Sequence, residues 1–173
     1  MLPIRYGPMN NPNPGYPYMS DFIEFESLQP NQYVKISGKY MPEKACFLAV
    51  EVVVEPADGE DKYEALLQEV QPDTRVVKLL GQTITLPDHL KIQDLNDSEV
   101  GIEHLKAGTM VKIKGHYRPD SGFKADKVKV KETLEFNIEE LQGRVQRVDG
   151  ENKQLYVNGV PIKINHKSIL LKL

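Results

Sequence analysis

Alternation of apolar and polar residues is the strongest pattern in the chain. In "YVKISGKY", the residues Val34 and Ile36 alternate with Lys35 and Ser37, and "MVKIKGHY" further along alternates in the same way. A period of two places apolar side chains on one side of an extended strand and polar ones on the other. Both stretches are therefore predicted to be β-strands with one buried face.

These two stretches also belong to a repeat. "VKISGKYMPE" begins at Val34 and "VKIKGHYRPD" at Val111, and the surrounding residues align with a single deletion in the second copy. Each copy carries a glycine inside the strand, Gly38 or Gly115, which is typical of a bulge or tight bend in a curled sheet. The repeat therefore predicts two small barrels with corresponding strands.

A second, weaker repeat defines how the halves are arranged. "RVVKLLGQTITL" matches "KQLYVNGVPIKI", with Gly81 on Gly159. The two repeats divide the chain into three segments. The first corresponds to the second half of a barrel unit, the next to a whole unit, and the last to the first half of a unit. We expect residues 57–136 to form one continuous barrel, and residues 21–56 and 137–173 to form a split, permuted barrel within the chain. Pairing of the halves between molecules, including head-to-tail filaments, is the alternative.

Turn and helix signals complete the prediction of local structure. Asp149-Gly150 and Asn158-Gly159 tolerate positive φ and separate short β-prone runs near the C-terminus, which indicates a meander. Only "DSEVGIEHLKAG" and "DKYEALLQEV" have the spacing for a helical turn. The chain is therefore predicted to be all-β with short helical connectors.

This layout resembles a bacterial family of unknown function built from tandem small β-barrels of the oligonucleotide/oligosaccharide-binding (OB) kind. The matching positions are turn and apolar residues. They are Leu105, Gly108, Val111, Gly115, Ala125 and Val128 in the central, whole unit (residues 57–136), and Leu28, Val34, Gly38, Ala49 and Val52 in the first half of the split barrel (residues 21–56). The resemblance implies two OB-like barrels and brings no catalytic residues with it.

Composition and charge narrow the class of protein. Of 173 residues, 40% are hydrophobic and 27% charged, which is ordinary for a globular protein, and the net charge is −3. The longest apolar stretch, residues 45–54, is too short for a membrane helix, and no secretory signal is recognisable, so we expect no membrane span and leave the compartment open. Residues 1–20 contain five prolines and are predicted to be a disordered arm that carries Tyr6, Tyr16 and Tyr18.

An apolar outer face is predicted where the two copies diverge. The central unit has Asp126 and Lys129 on its outer face, whereas the first half has Val50 and Val53. The C-terminal residues Ile169, Leu170 and Leu171 are also too apolar for a free tail. Burial of such side chains stabilises by about 1.5–3 kcal/mol each, so we expect this face to be covered by the central barrel or by another subunit. These five residues are the predicted protein interface.

A basic face is predicted on the central unit. Lysines alternate along two strands and point outward, with an arginine and two aromatic residues near the connecting hairpin. The candidates for binding an anionic ligand are Lys112, Lys114, Tyr117, Arg118, Phe123, Lys127, Lys129 and Lys131. Small barrels bind single-stranded nucleic acid through basic grooves with stacking aromatics. A solvated face balanced by residues 57–102, where ten Asp or Glu stand against four Lys or Arg, is the simpler interpretation.

The sequence carries no recognisable motif for catalysis or metal binding. The chain has no G-x-S-x-G, P-loop or G-x-G-x-x-G motif, its four histidines are scattered, and Cys46 lies among apolar residues. We therefore expect no catalytic residues, no metal and no cofactor. The first hypothesis is a non-enzymatic module that contacts protein or itself, and the second is a binder of single-stranded nucleic acid or another anionic polymer.

Overall fold

The computed structural model describes residues 21–133 and 137–173, and in these ranges the protein is an all-β structure. The strands are β1 (Asp21–Phe22), β2 (Tyr33–Met41), β3 (Cys46–Val54), β4 (Asp61–Leu66), β5 (Glu69–Gln71), β6 (Val76–Leu79), β7 (Gln82–Thr85), β8 (Ile92–Gln93), β9 (Glu99–Val100), β10 (Met110–Arg118), β11 (Gly122–Val130), β12 (Glu139–Asp149), β13 (Gln154–Val157), β14 (Val160–Lys163) and β15 (Ile169–Lys172). The all-β prediction is confirmed. The arm predicted at residues 1–20 lies outside the described residues.

Five strands close into a barrel. Going around it, β12 pairs with β2, β2 with β3, β3 with β14, β14 with β13, and β13 with β12 again. All these pairs are antiparallel except β3 with β14, which is parallel. The barrel thus takes its strands from residues 33–54 and 139–163, which pair within one chain. The strand β15 extends it by pairing with β3, and β1 pairs with β15.

The strands β4 to β11 form a second part, here called the central unit. Its β4, β10 and β11 pair side by side and continue through β8 to β9. Its β5, β6 and β7 form a small separate sheet, and β7 lies beside β11. The parallel pairing of β8 with β11 corresponds to that of β15 with β3 in the closed barrel. The assignment of the two parts as separate domains stays a prediction.

The two parts share one sheet and one core. The strand β12 pairs with β4, so that Leu141 lies opposite Tyr63. An inner row of side chains, each at most 1% exposed, crosses this junction; its members are Val52, Ile36, Leu141, Tyr63, Ile113 and Val128. Side chains of residues that pair in register point to the same side of a sheet. The buried cores of both parts therefore lie on one side of the shared sheet, and its other side faces solvent.

The repeated strands β2 and β10 have the same irregularity at the predicted glycines. The register shifts between Ser37 and Gly38, and again between Lys114 and Gly115. Each glycine approaches a carbonyl of the partner strand so closely that a Cβ there would collide with it. The partner strand accommodates one extra residue, Val50 in β3 and Asp126 in β11. The same bulge therefore bends both hairpins.

One prediction of local structure is wrong. "DKYEALLQEV" is not helical, because Asp61–Leu66 and Glu69–Gln71 are strands. Its residues Tyr63, Ala65 and Leu67 are buried at a spacing of two, so burial in the sheet outweighs the helix propensity of Ala, Leu and Glu. The other predicted turn is present as a 3₁₀ helix, Ile102–His104. Among the described residues, no helix has the length and apolar character needed to cross a membrane.

Candidate interaction surfaces

The solvent side of the shared sheet, here called the outer face, changes chemistry from one end to the other. In the closed barrel, the register aligns Gln142, Lys35, Val53, Leu171 and Phe22 on neighbouring strands. In the central unit, the corresponding positions are Glu64, Lys112, Lys129, Gln93 and Glu99. The backbone arrangement is the same, but one end is apolar and the other is charged.

The apolar face consists of Phe22, Val50, Val53, Ile169 and Leu171. The side chains of Phe22, Val50 and Ile169 are 64%, 52% and 44% exposed, so the central unit does not cover them as one sequence hypothesis expected. Val50 is exposed because it is the extra residue of the bulge. Phe22 was not predicted, since only its pairing with Leu171 brings it to this face.

Leu170 does not belong to this face, which corrects its assignment as an interface residue. It lies opposite Val52 in the register of β15 with β3 and packs against the core. Its neighbours Ile169 and Leu171 point the other way, because successive residues of a strand alternate between faces. Only two of the three C-terminal candidates are therefore available to a partner.

The lysine groove is a concavity of about 220 Å³ lined by the five predicted lysines, Lys112, Lys114, Lys127, Lys129 and Lys131. The pairs Lys112–Lys129 and Lys114–Lys127 lie directly opposite each other on β10 and β11. Partial burial, and then the charge of Lys114, lower the pKa of Lys112. Lys129 forms an ion pair with Asp97 from the loop between β8 and β9.

The other predicted ligand residues of the central unit lie elsewhere. Phe123 is only 6% exposed and stacks on Tyr63 inside the core, with ring centroids 4.5 Å apart, so it cannot stack on a ligand. Tyr117 is half-buried against the core. Arg118 is exposed at the end of β10 and, with Tyr117, lines a different cavity. The structure therefore brings together the lysines but not the aromatic residues.

That different cavity is a cleft of about 640 Å³ between the closed barrel and the central unit. Several of its polar groups form hydrogen bonds within the chain. The backbone N–H of Tyr117 donates to Oδ2 of Asp61 at 2.7 Å, and Nη1 of Arg144 donates to the carbonyl of Asn31 at 2.8 Å. Burial raises the pKa of Asp61. The cleft was not predicted, because its lining residues come from stretches far apart in sequence.

Within residues 21–133 and 137–173, no three His, Cys, Asp or Glu side chains lie close enough together to hold a metal ion.

Comparison with known proteins gives one partial match. A family model described as a domain of unknown function (DUF5666) matches residues 66–129, from the end of β4 into β11. No curated protein and no solved structure matches the chain. The chain thus contains a region similar to a family of unknown function, and its fold is an all-β barrel with further strands.

Proposed function

We propose that the protein is a non-enzymatic interaction module that binds a second copy of itself through the apolar face. The observation that carries this function is the apolar row Phe22, Leu171 and Val53 on neighbouring strands of the outer face, in which Phe22 is exposed and the other two are half-buried. The same row in the central unit reads Glu99, Gln93 and Lys129. A folding requirement common to both parts therefore does not explain the apolar residues, whereas a contact surface does.

The border of the apolar face favours a second copy as the occupant. Lys35 lies opposite Val53, and Glu51 lies opposite Ile169. In a two-fold symmetric contact the same patch meets itself, so a patch with both signs of charge offers each charge an opposite partner. Burying the apolar side chains supplies the favourable free energy, at about 25 cal/mol per Å² of apolar area removed from water.

The size of the face sets the expected affinity. A stable interface usually buries about 800 Å² on each partner, and five side chains provide less than this. Association costs several kcal/mol of lost translational and rotational freedom, so a small contact gives a weak complex. We expect the protein to be monomeric at low micromolar concentration and to form dimers at concentrations on the order of 100 μM.

Matched substitutions at corresponding positions test this contact. Leu171→Lys places a charge in the apolar face, while Gln93→Lys adds the same charge at the corresponding position of the central unit. In light scattering over a concentration series, we expect wild type and Gln93→Lys to gain mass with concentration and Leu171→Lys to remain monomeric. A wild type that is monomeric at every concentration, or equal effects of both substitutions, would contradict self-association through this face.

The absence of enzymatic activity is part of the same proposal. It is supported by the lack of catalytic motifs in the sequence and by the intramolecular hydrogen bonds of the polar groups in the cleft. The second sequence hypothesis is binding of single-stranded nucleic acid or another anionic polymer. Its five candidate lysines line one groove, but Phe123 is buried and is not accessible for stacking on a base. Base stacking is therefore not favoured as the basis of any binding to the central unit.

A further inference from the structure

The lysine groove carries an electrostatic cost that its own chain only partly offsets. Like charges directly opposite on paired strands destabilise a sheet, and Lys112–Lys129 and Lys114–Lys127 are two such pairs in succession. In the closed barrel, the positions that correspond to Lys127 and Lys129 are Glu51 and Val53. The barrel architecture therefore does not require a lysine at either place.

The charged groups around the groove leave it strongly positive. On β4, Lys62 lies opposite Lys114 and Glu64 lies opposite Lys112. Lys62 binds Asp58, and Asp126 next to the groove pairs with His116 at 3.5 Å. Glu64 and Asp97 face the five lining lysines, and Glu132 lines a neighbouring cavity with Lys129 and Lys131.

Asp97 provides a carboxylate that pairs with Lys129, one of the lysines that line the groove. The loop that carries it is held by Oδ1 of Asp94, which accepts hydrogen bonds from the backbone N–H groups of Asn96 and Ser98 at 2.8 and 2.9 Å. The hydrogen bond from Lys129, and then the charges of Lys129, Lys127 and Lys131, lower the pKa of Asp97. A single carboxylate thus lies in the field of three lysines.

We propose that the lysine groove binds a linear chain of phosphate groups, and that Asp97 occupies one phosphate position until the ligand displaces it. The lining residues are all lysine, whose compact ammonium group binds phosphate as a point charge. Lys127 and Lys129 alternate along β11 at a backbone spacing of about 6.8 Å, and Lys131 follows just beyond the end of the strand, so the three lysines form a row. Among the described residues, no aromatic side chain lines the groove, so the bases of a nucleic acid are not expected to contribute to binding.

This site is independent of self-association, because the groove and the apolar face lie at opposite ends of the outer face. Binding is measured by competition and titration at low protein concentration with three probes: linear inorganic polyphosphate, oligothymidylate and poly-L-glutamate. We expect polyphosphate to bind, oligothymidylate to bind no more tightly than polyphosphate, and poly-L-glutamate to bind at least about tenfold more weakly. The affinity should fall as salt rises, since counterions are released on binding.

Three variants locate the site. Lys112→Ala and Lys129→Ala should each weaken polyphosphate binding and reduce the slope of log affinity against log salt by about 1. Lys124→Ala removes the same charge from an exposed position of β11 that does not line the groove, so it should leave the affinity unchanged. Asp97→Asn should strengthen binding, and a gain of affinity cannot result from misfolding.

Four results would overturn the assignment. They are no polyphosphate binding at low salt even by Asp97→Asn, equal binding of poly-L-glutamate, tighter binding of oligothymidylate than of polyphosphate, and an effect of Lys124→Ala as large as that of Lys112→Ala. The first removes the site, the second and third change the ligand class, and the fourth assigns binding to general surface charge.

Discussion

The backbone N–H of Tyr40 donates a hydrogen bond to Oε1 of Glu139 at 2.8 Å, across 99 residues of sequence. The second carboxylate oxygen, Oε2, accepts from the N–H of Leu66 at 2.9 Å. Glu139 is 4% exposed, so one buried carboxylate joins a strand of the closed barrel to a strand of the central unit. The N–H of Tyr117 donates to Asp61 at the corresponding place of the other part. The Glu139 carboxylate therefore joins the two parts, whereas the bond from Tyr117 to Asp61 lies within the central unit.

Replacing Glu139 should destabilise the whole fold. Glu139→Ala leaves two partly buried N–H donors without their charged acceptor, and hydrogen bonds to charged groups contribute roughly 1.5–3 kcal/mol each. We expect the free energy of unfolding to fall by about 3 kcal/mol in urea denaturation, and by less for Glu139→Gln, which keeps one acceptor. The neighbouring Glu140→Ala, on the outer face, is the matched control and should cost less than about 1 kcal/mol. Equal losses at both positions would show that Glu139 does not join the parts.

The two bulge glycines should be intolerant of any side chain. A Cβ at Gly38 or Gly115 would collide with the carbonyl of Leu48 or Lys124, and forced overpacking typically costs about 1–3 kcal/mol. We expect Gly38→Ala and Gly115→Ala each to lower the thermal midpoint by several degrees. Gly150→Ala is the control, because nothing lies within 4 Å of a Cβ built there. A midpoint of Gly38→Ala or Gly115→Ala as high as that of Gly150→Ala would contradict the described register.

Stability should depend on Asp58 at low pH. Hydrogen bonds from Lys62 Nζ at 2.6 Å and from the N–H of Glu60 lower the pKa of Asp58 to about 2. Because this folded-state pKa is below the ordinary value of 3.8 for an aspartate, the contribution of the carboxylate to stability is present above about pH 4 and is lost as pH falls toward 2. We expect the difference in free energy of unfolding between wild type and Asp58→Asn to be at most about 1 kcal/mol at pH 5, since the group is largely exposed, and to shrink by pH 2. A difference that is constant over this range would exclude the ion pair as its cause.

Much of the fold could be predicted from the sequence because strand alternation and bend glycines are local signals. Val34 and Ile36 are fully buried as the period of two requires, and the irregularities at Gly38 and Gly115 are present. The helical interpretation of residues 61–70 was wrong, because it weighed local propensity above the burial that the sheet provides.

The candidate surfaces were predicted less well, and the bulge explains part of the difference. The extra residue Asp126 reverses the alternation of β11, so that Phe123 and Ala125 point inward on one side of it while Val128 points inward on the other. A strand pattern read without this residue places Phe123 on the wrong face. Phe22 and the cleft could not be predicted, since both depend on pairings between distant parts of the chain.

Self-association through the apolar face is tested most directly by NMR spectra of the ¹⁵N-labelled protein from dilute to concentrated solution. Amide shifts should move with concentration around Phe22, Val53 and Leu171, while those of the corresponding residues Glu99, Lys129 and Gln93 stay constant. Spectra that do not change with concentration, or changes confined to the central unit, would contradict a contact between copies at this face.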